Sequence, residues 1–152
     1  MNLAPYLHKR LVLPNLAAAT QQAALEELVH ALCAVYPSLE KKAVLDVLYA
    51  RERLGSTAMG DSIAMPHGKY SGITTIHLVF GRSSRGIPCD APDNKPCCLF
   101  FLMLAPEYAS VKQLGLLGHM AKALKDETFR LCLMQARDHA ELWQLLTGAT
   151  SA

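Results

Sequence analysis

His67 lies in the run Ala64-Met65-Pro66-His67-Gly68-Lys69, one imidazole held between the most rigid residue type and the most permissive. Pro66 fixes its own φ and drives Met65 toward extended geometry. Gly68, lacking a Cβ, lets another molecule approach the main chain. Imidazoles change charge near neutrality, so many are neutral and nucleophilic at pH 7. These six residues alone fit two readings equally. One is a reactive histidine at the exit of a short strand led in by Ile63 to Met65, where α/β sheets place their ligand chemistry. The other is a tight turn with an incidental histidine. The residues upstream favour the first. Arg51 and Arg53 stand at a predicted helix end, followed by Gly55-Ser56-Thr57 and then Gly60. Arginine offers a rigid fork of donors to phosphate oxygens, and Ser, Thr and a glycine-bearing loop add hydroxyl and backbone donors. The set suits a phosphate-handling pocket around a histidine. It is not a nucleotide P-loop, because no Gly-Lys-Ser or Gly-Lys-Thr is present.

The elements that must position these groups are legible from periodicity. Residues 20–35 read as a helix capped by Thr20, with Leu25, Leu28, Val29 and Leu32 on one face. Ser38 can cap a second helix running to about Arg53, with Val44, Leu45 and Leu48 inward and Gly55 as its stop. Residues 73–81 are rich in β-branched and aromatic side chains and read as a strand. Ile87 to Pro96 holds prolines, Asp90, Asp93 and Asn94 and reads as a loop. Residues 97–104 have no polar face, which suits a central strand covered on both sides. Ser110 then caps a long helix expected to turn Leu114, Leu117, Ala121 and Leu124 inward. A shorter helix covers 127–136, and Asp138 with Glu141 opens a last one ended by Gly148. Helices on either side of a sheet buried on both faces make an α/β layered domain.

Composition narrows the partners. A chain of 152 residues is expected to form a single domain, 1–152, with a core large enough to need no staples. The net charge is +2, with Lys and Arg scattered rather than gathered in a stripe, which argues against nucleic acid. The longest apolar run, Cys97 to Ala105, is half of the roughly 20 residues needed to cross a bilayer. No membrane insertion is expected. The N-terminus also lacks a secretory pattern, so a cytoplasmic protein is expected. The cysteines, Cys33, Cys89, Cys97, Cys98 and Cys132, form no CxxC and read as buried, reduced thiols. Of the histidines, His77 reads as structural, and none has zinc-ligand spacing, so no metal or cofactor is expected.

Taken together, "RERLGSTAMGDSIAMPHGK" (51–69) and "PCDAPDNKP" (88–96) resemble the signatures of enzyme IIA domains of the mannitol/fructose type in the bacterial phosphotransferase system. The resemblance is strongest to the free-standing nitrogen-regulatory IIA proteins. It spans the first helix to the last. It implies a mixed central β-sheet flanked by helices on both faces, and a phosphohistidine carrier whose His67 accepts a phosphoryl group from an HPr-like protein. It also implies that Arg51, which precedes His67 by the family's spacing, steadies the phosphate, and that Ser56 or the loop amides hydrogen-bond to it. The chain departs from the family at one place: Gln113 stands where a second active-site histidine is usual. Glutamine can donate a hydrogen bond but cannot become cationic. Three roles therefore stand side by side: a regulatory phosphocarrier acting on target proteins, a sugar-uptake subunit passing phosphate to a separate IIB protein, and a binding module that has lost phosphotransfer.

Overall fold

The computed structural model describes residues 1–148. Its sheet runs β1 (Leu7–Leu13), β2 (Ala58–Gly60), β3 (Ile63–Ala64), β4 (His67–Lys69), β5 (His77–Ile87) and β6 (Cys97–Ala105). The helices are α1 (Gln21–Val35), α2 (Lys41–Arg53), α3 (Ser110–Leu124), α4 (Glu127–Gln135) and α5 (His139–Thr147). The strand order is β1-β5-β6-β3-β2, with β4 also paired to β6. The sheet is mixed: β1 lies parallel to β5, β5 antiparallel to β6, and β3 and β4 parallel to β6. Adjacent residues of β5 show how both faces are covered. A Cβ at Gly81 would strike Leu28 of α1. The next side chain, Arg82, points the other way and donates to the Leu133, Met134 and Ala136 carbonyls at the end of α4.

Several elements follow the sequence closely. The Thr20 hydroxyl accepts from Ala23 N–H, and Leu25, Leu28, Val29 and Leu32 are buried. All of β6 is buried except Cys98, which is half-exposed. Asp138 caps α5 by accepting from Glu141 N–H, and Gly148 closes that helix at φ 69°.

Others differ. Ser38 does not cap α2. A turn closed by Leu39 N–H on the Tyr36 carbonyl intervenes, and Glu40 takes the cap position without a side-chain bond. Strand β5 begins at His77 rather than 73 and continues to Ile87, which pairs with Cys97 instead of opening a loop. Its polar stretch stays in the sheet because Arg82 and Ser83 are buried with hydrogen-bond partners. Strand β1 carried no recognised sequence signal. Ala109, not Ser110, stands at the cap of α3. That helix also turns a different face inward: Gln113, Leu116, Met120 and Leu124 are buried, while Leu114 is 73% exposed. The cysteines divide as well. Cys89 and Cys97 are buried, Cys33 and Cys98 lie at the boundary, and Cys132 is exposed, contrary to uniform burial. His77 opens β5 and stacks on Tyr36, ring centroids 4.2 Å apart. Among the described residues no helix is long and apolar enough to cross a membrane.

Candidate functional site

The placement of His67 follows from an interrupted strand. Ile63 and Ala64 pair with Leu99 and Phe100, and His67, Gly68 and Lys69 pair with Met103, Leu104 and Ala105. The register carries across unchanged, so β3 and β4 are one strand broken at Met65-Pro66. Proline has no N–H for a ladder bond. Its carbonyl still accepts from Met103 N–H, and Tyr70 N–H donates to the Ala105 carbonyl, which anchors the backbone on both sides of the histidine. His67 therefore opens the resumed strand rather than sitting in the loop after a finished one. Met65 N–H turns to the Thr57 carbonyl, and the Met65 carbonyl receives the imidazole, 2.8 Å from Nδ1. A carbonyl can only accept, so Nδ1 carries the hydrogen and Nε2 keeps its lone pair.

Two cavities meet at this ring. One of about 500 Å3 lies between the second half of α2, strand β4 and the first half of α3, with Arg51, His67, Lys69 and Gln113 on its walls. The other, about 360 Å3, runs along Ser56 to Met59 toward α3. His67, Arg51 and Leu117 border both. The half-buried Arg51 donates through Nη1 to the Gly55 carbonyl at 2.9 Å. That bond spends one donor of its guanidinium and leaves the rest of the fork available.

Ser56 reaches the second cavity, but its hydroxyl donates to the Cys89 carbonyl at 2.6 Å and accepts from Ala58 N–H. Its proton therefore serves the loop. A hydrogen bond with Cys97, together with burial, pushes the Cys89 thiol up, while the same bond holds the Cys97 thiol below its ordinary range. Gln113 is 6% exposed and lines the larger cavity. Its backbone N–H donates to the Ala109 carbonyl, while its side-chain amide makes no hydrogen bond among the described residues. Arg53 lies elsewhere, on a separate cavity with Gln21, Gln22, Leu25, Tyr49 and Glu52.

Sequence reasoning did not single out three further groups. Glu52 takes the Thr57 N–H on Oε2 and the Thr57 hydroxyl on Oε1, and also accepts from Gln21, so it holds the loop that carries Ser56. Its place one residue after Arg51 was the available signal. Asp93 accepts from Asp61 N–H and Lys95 N–H. The first of these bonds lowers its carboxyl below the ordinary range most strongly, and Asp93 thereby pins the β2–β3 turn, where Asp61 and Ser62 have φ of 55° and 63°. Lys69, two residues beyond His67, lines the larger cavity and hydrogen-bonds through its ammonium to the Ser110 hydroxyl. Leu54, 84% exposed, and Leu114, 73% exposed, line the larger cavity, and Val111, 88% exposed, follows the cavity-lining Ser110 in sequence, an apolar rim beside a wall that carries charge.

This fold and site coincide with a known class. The profile described as "Phosphoenolpyruvate-dependent sugar phosphotransferase system, EIIA 2" matches residues 5–149. A nitrogen regulatory protein of Bradyrhizobium diazoefficiens is 36% identical over 135 residues, 89% of this chain and 88% of that one. A fructose-specific EIIA component of Haloferax volcanii is 30% identical over 128 residues, 84% of this chain and 83% of that one. The crystal structure of nitrogen regulatory protein IIA-Ntr from Neisseria meningitidis superposes with a TM-score of 0.88 at 30% identity, covering 94% of this chain and 97% of that one. The chain belongs to the EIIA type 2 family of the phosphotransferase system, whose members are phosphotransfer components. Within it, sequence and structure both place the chain with the nitrogen-regulatory IIA type.

Proposed function

We propose that this protein is a phosphohistidine carrier in which His67 Nε2 accepts a phosphoryl group from an HPr-like protein. The observation that carries the reading is the 2.8 Å contact of Nδ1 with the Met65 carbonyl, which leaves the other ring nitrogen as the nucleophile facing the cavities. The Nε2 lone pair attacks the donor's phosphorus in line. The bond to the donor's nitrogen breaks, and its electron pair stays on that nitrogen. His67 need not move a proton, since Nδ1 keeps its hydrogen on the Met65 carbonyl, which also steadies the positive ring that forms. Phosphoryl transfer of this kind needs positioning and charge stabilisation more than covalent help. Arg51 supplies charge from a guanidinium already fixed on Gly55. Gln113 offers an amide donor from the opposite wall, without charge. Ser56 acts through the loop it braces, whose Gly55, Thr57 and Ala58 N–H groups are already engaged within the protein.

The apolar rim of Leu54, Val111 and Leu114 suits a protein donor, because an exposed apolar patch around a reactive group is the usual mark of protein docking. Phosphorylation adds about two negative charges at this patch, enough to alter which proteins bind it. That is the basis of a regulatory role in the cytoplasm, in keeping with the nitrogen-regulatory relatives. The likeness to the fructose-specific component supports a second reading, in which the phosphoryl group passes on to a separate IIB protein.

The test is incubation of wild type, His67→Ala and Arg51→Ala with phosphoenolpyruvate, enzyme I and an HPr-like protein, read by intact mass. Wild type gains one phosphoryl group, His67→Ala gains none, and Arg51→Ala is slower by about 10- to 1000-fold, the scale of losing one preorganised donor. Labelling of His67→Ala would remove His67 as the acceptor. Discharge of the phosphorylated protein onto a IIB protein would select the uptake role over the regulatory one.

A further inference from the structure

We propose that Lys69 is a second phosphoryl-contacting cation, supplying the positive charge that Gln113 cannot. The proposal rests on the phosphocarrier reading of His67.

It starts from the strand. Side chains two apart on a strand share a face, separated by about 6.5–7 Å. In β4, Gly68 turns toward α2, where a Cβ would strike Val47, so His67 and Lys69 both lie on the other side. The four-carbon stem of Lys69 is long enough to cover that spacing. Both residues line the cavity of about 500 Å3. The Lys69 ammonium is drawn across its mouth to the Ser110 hydroxyl, on the helix that also carries Gln113. An ammonium has three donors, so this contact leaves others free.

The charge pattern points the same way. Among the described residues, Arg51 and Lys69 are the cationic ones on the walls of this cavity, and no carboxylate lines it. A wall with positive charge on two elements and no counter-charge suits a dianion better than a neutral ligand. Arg51 approaches from α2 and Lys69 from β4, so a phosphoryl group on Nε2 would be met from two directions. Lys69 leaves Ser110 to do so. The polar group at the start of α3 then becomes free beside Val111, which ties phosphorylation to the rim where partners dock.

The experiment compares wild type, Lys69→Gln, Lys69→Arg and, as a control for charge lost elsewhere on α3, Lys112→Gln. Lys112 projects over the Tyr6 ring, 5.7 Å from its centroid, and is not among the residues of the cavity wall. Two quantities are read: the rate of phosphorylation by a phosphorylated HPr-like protein, and the pH titration of the phosphohistidine 31P signal. Lys69→Gln is expected to slow transfer by about 10- to 100-fold, below the loss for a fully enclosed donor because the lysine is exposed. It should also move the 31P titration to higher pH, since a neighbouring cation favours the dianion. Lys69→Arg is expected to restore most of both, and Lys112→Gln to change neither. An unchanged 31P titration in Lys69→Gln, or equal slowing by Lys112→Gln, would overturn the assignment while leaving His67 as acceptor. Failure of wild type itself to become phosphorylated by a competent donor would remove the phosphocarrier reading and Lys69 with it.

Discussion

Gly68→Ala tests how tightly α2 and β4 hold Arg51 and His67 in register. A Cβ there would lie 2.5 Å from Val47 Cγ1, with Leu48 Cδ2 at 3.6 Å and the Val47 carbonyl carbon at 3.7 Å. Carbon atoms rest at about 3.5–4.0 Å, so about 1 Å must be found. Val47 cannot easily yield it, because a β-branched side chain in a helix has one strongly preferred χ1. The remaining escape is a shift of α2 away from β4. Overpacking of this kind costs about 1–3 kcal/mol. Arg51 lies one helical turn beyond Val47, and His67 is the neighbour of Gly68. The same shift therefore separates the two groups that must meet the phosphoryl. A misplacement of about 1 Å can cost on the order of 100-fold in rate. Urea unfolding followed by the single tryptophan, Trp143, gives the stability, and phosphorylation by an HPr-like protein gives the rate. Val47→Ala removes the clashing methyl, so the double variant should recover most of what Gly68→Ala loses, with a coupling of about 1–2 kcal/mol. If Gly68→Ala matches wild type in both stability and rate, or if Val47→Ala rescues neither, the argument that this contact sets the site is refuted.

Leu114→Glu should leave the unfolding midpoint close to wild type, because the side chain is 73% exposed, yet lower kcat/KM with a protein phosphodonor by about 10-fold or more, the scale of a hot-spot residue; an unchanged kcat/KM would remove Leu114 from the docking rim. Arg82→Leu leaves the carbonyls of Pro14, Leu133 and Ala136 without their donor and should cost about 3–5 kcal/mol. A loss under about 1 kcal/mol in urea unfolding would show that water replaces the guanidinium. Burial holds His77 below its ordinary 6.5, so the unfolded chain binds more protons just under that pH. Stability from His77 is therefore complete above 6.5 and falls as pH drops toward its lower native value. His77→Phe, which keeps a ring on Tyr36, should flatten that slope in urea titrations across the same range; an unaltered slope would place the pH dependence elsewhere.

Where burial alone decided an element, periodicity was enough to read it. Helix α1 presents one apolar stripe with a Thr cap, and it folds as those residues require. Strand β6 has no polar face and takes the centre of the sheet. Periodicity misled where apolar residues serve a surface. In α3, Leu114 and Leu117 carry as strong a helical pattern as Leu116 and Met120, yet Leu114 belongs to the rim and the polar Gln113 is turned in toward the cavity. A hydrophobic pattern records which side chains avoid water in some state of the protein, and a docking face avoids it only in the complex. Polar residues misled in the opposite sense at β5, because Arg82 has carbonyl partners from β1's exit and α4 that lie far away in sequence.

The reactive group itself was legible for a reason that lies in the backbone. Pro66 breaks a strand that otherwise keeps one register along β6, and the break frees the Met65 carbonyl to take the Nδ1 hydrogen. Gly68 then lets α2 approach closely enough to bring Arg51 alongside. Each part of Pro-His-Gly thus has a separate task, and the three tasks converge on one lone pair. What the motif could not show is what surrounds that lone pair. The identity of Lys69 was in plain view, but its relevance depends on β4 being a strand, since only strand geometry returns residue 69 to the face of residue 67. A loop after His67, as the Pro-His-Gly pattern suggests on its own, would have left that lysine pointing anywhere.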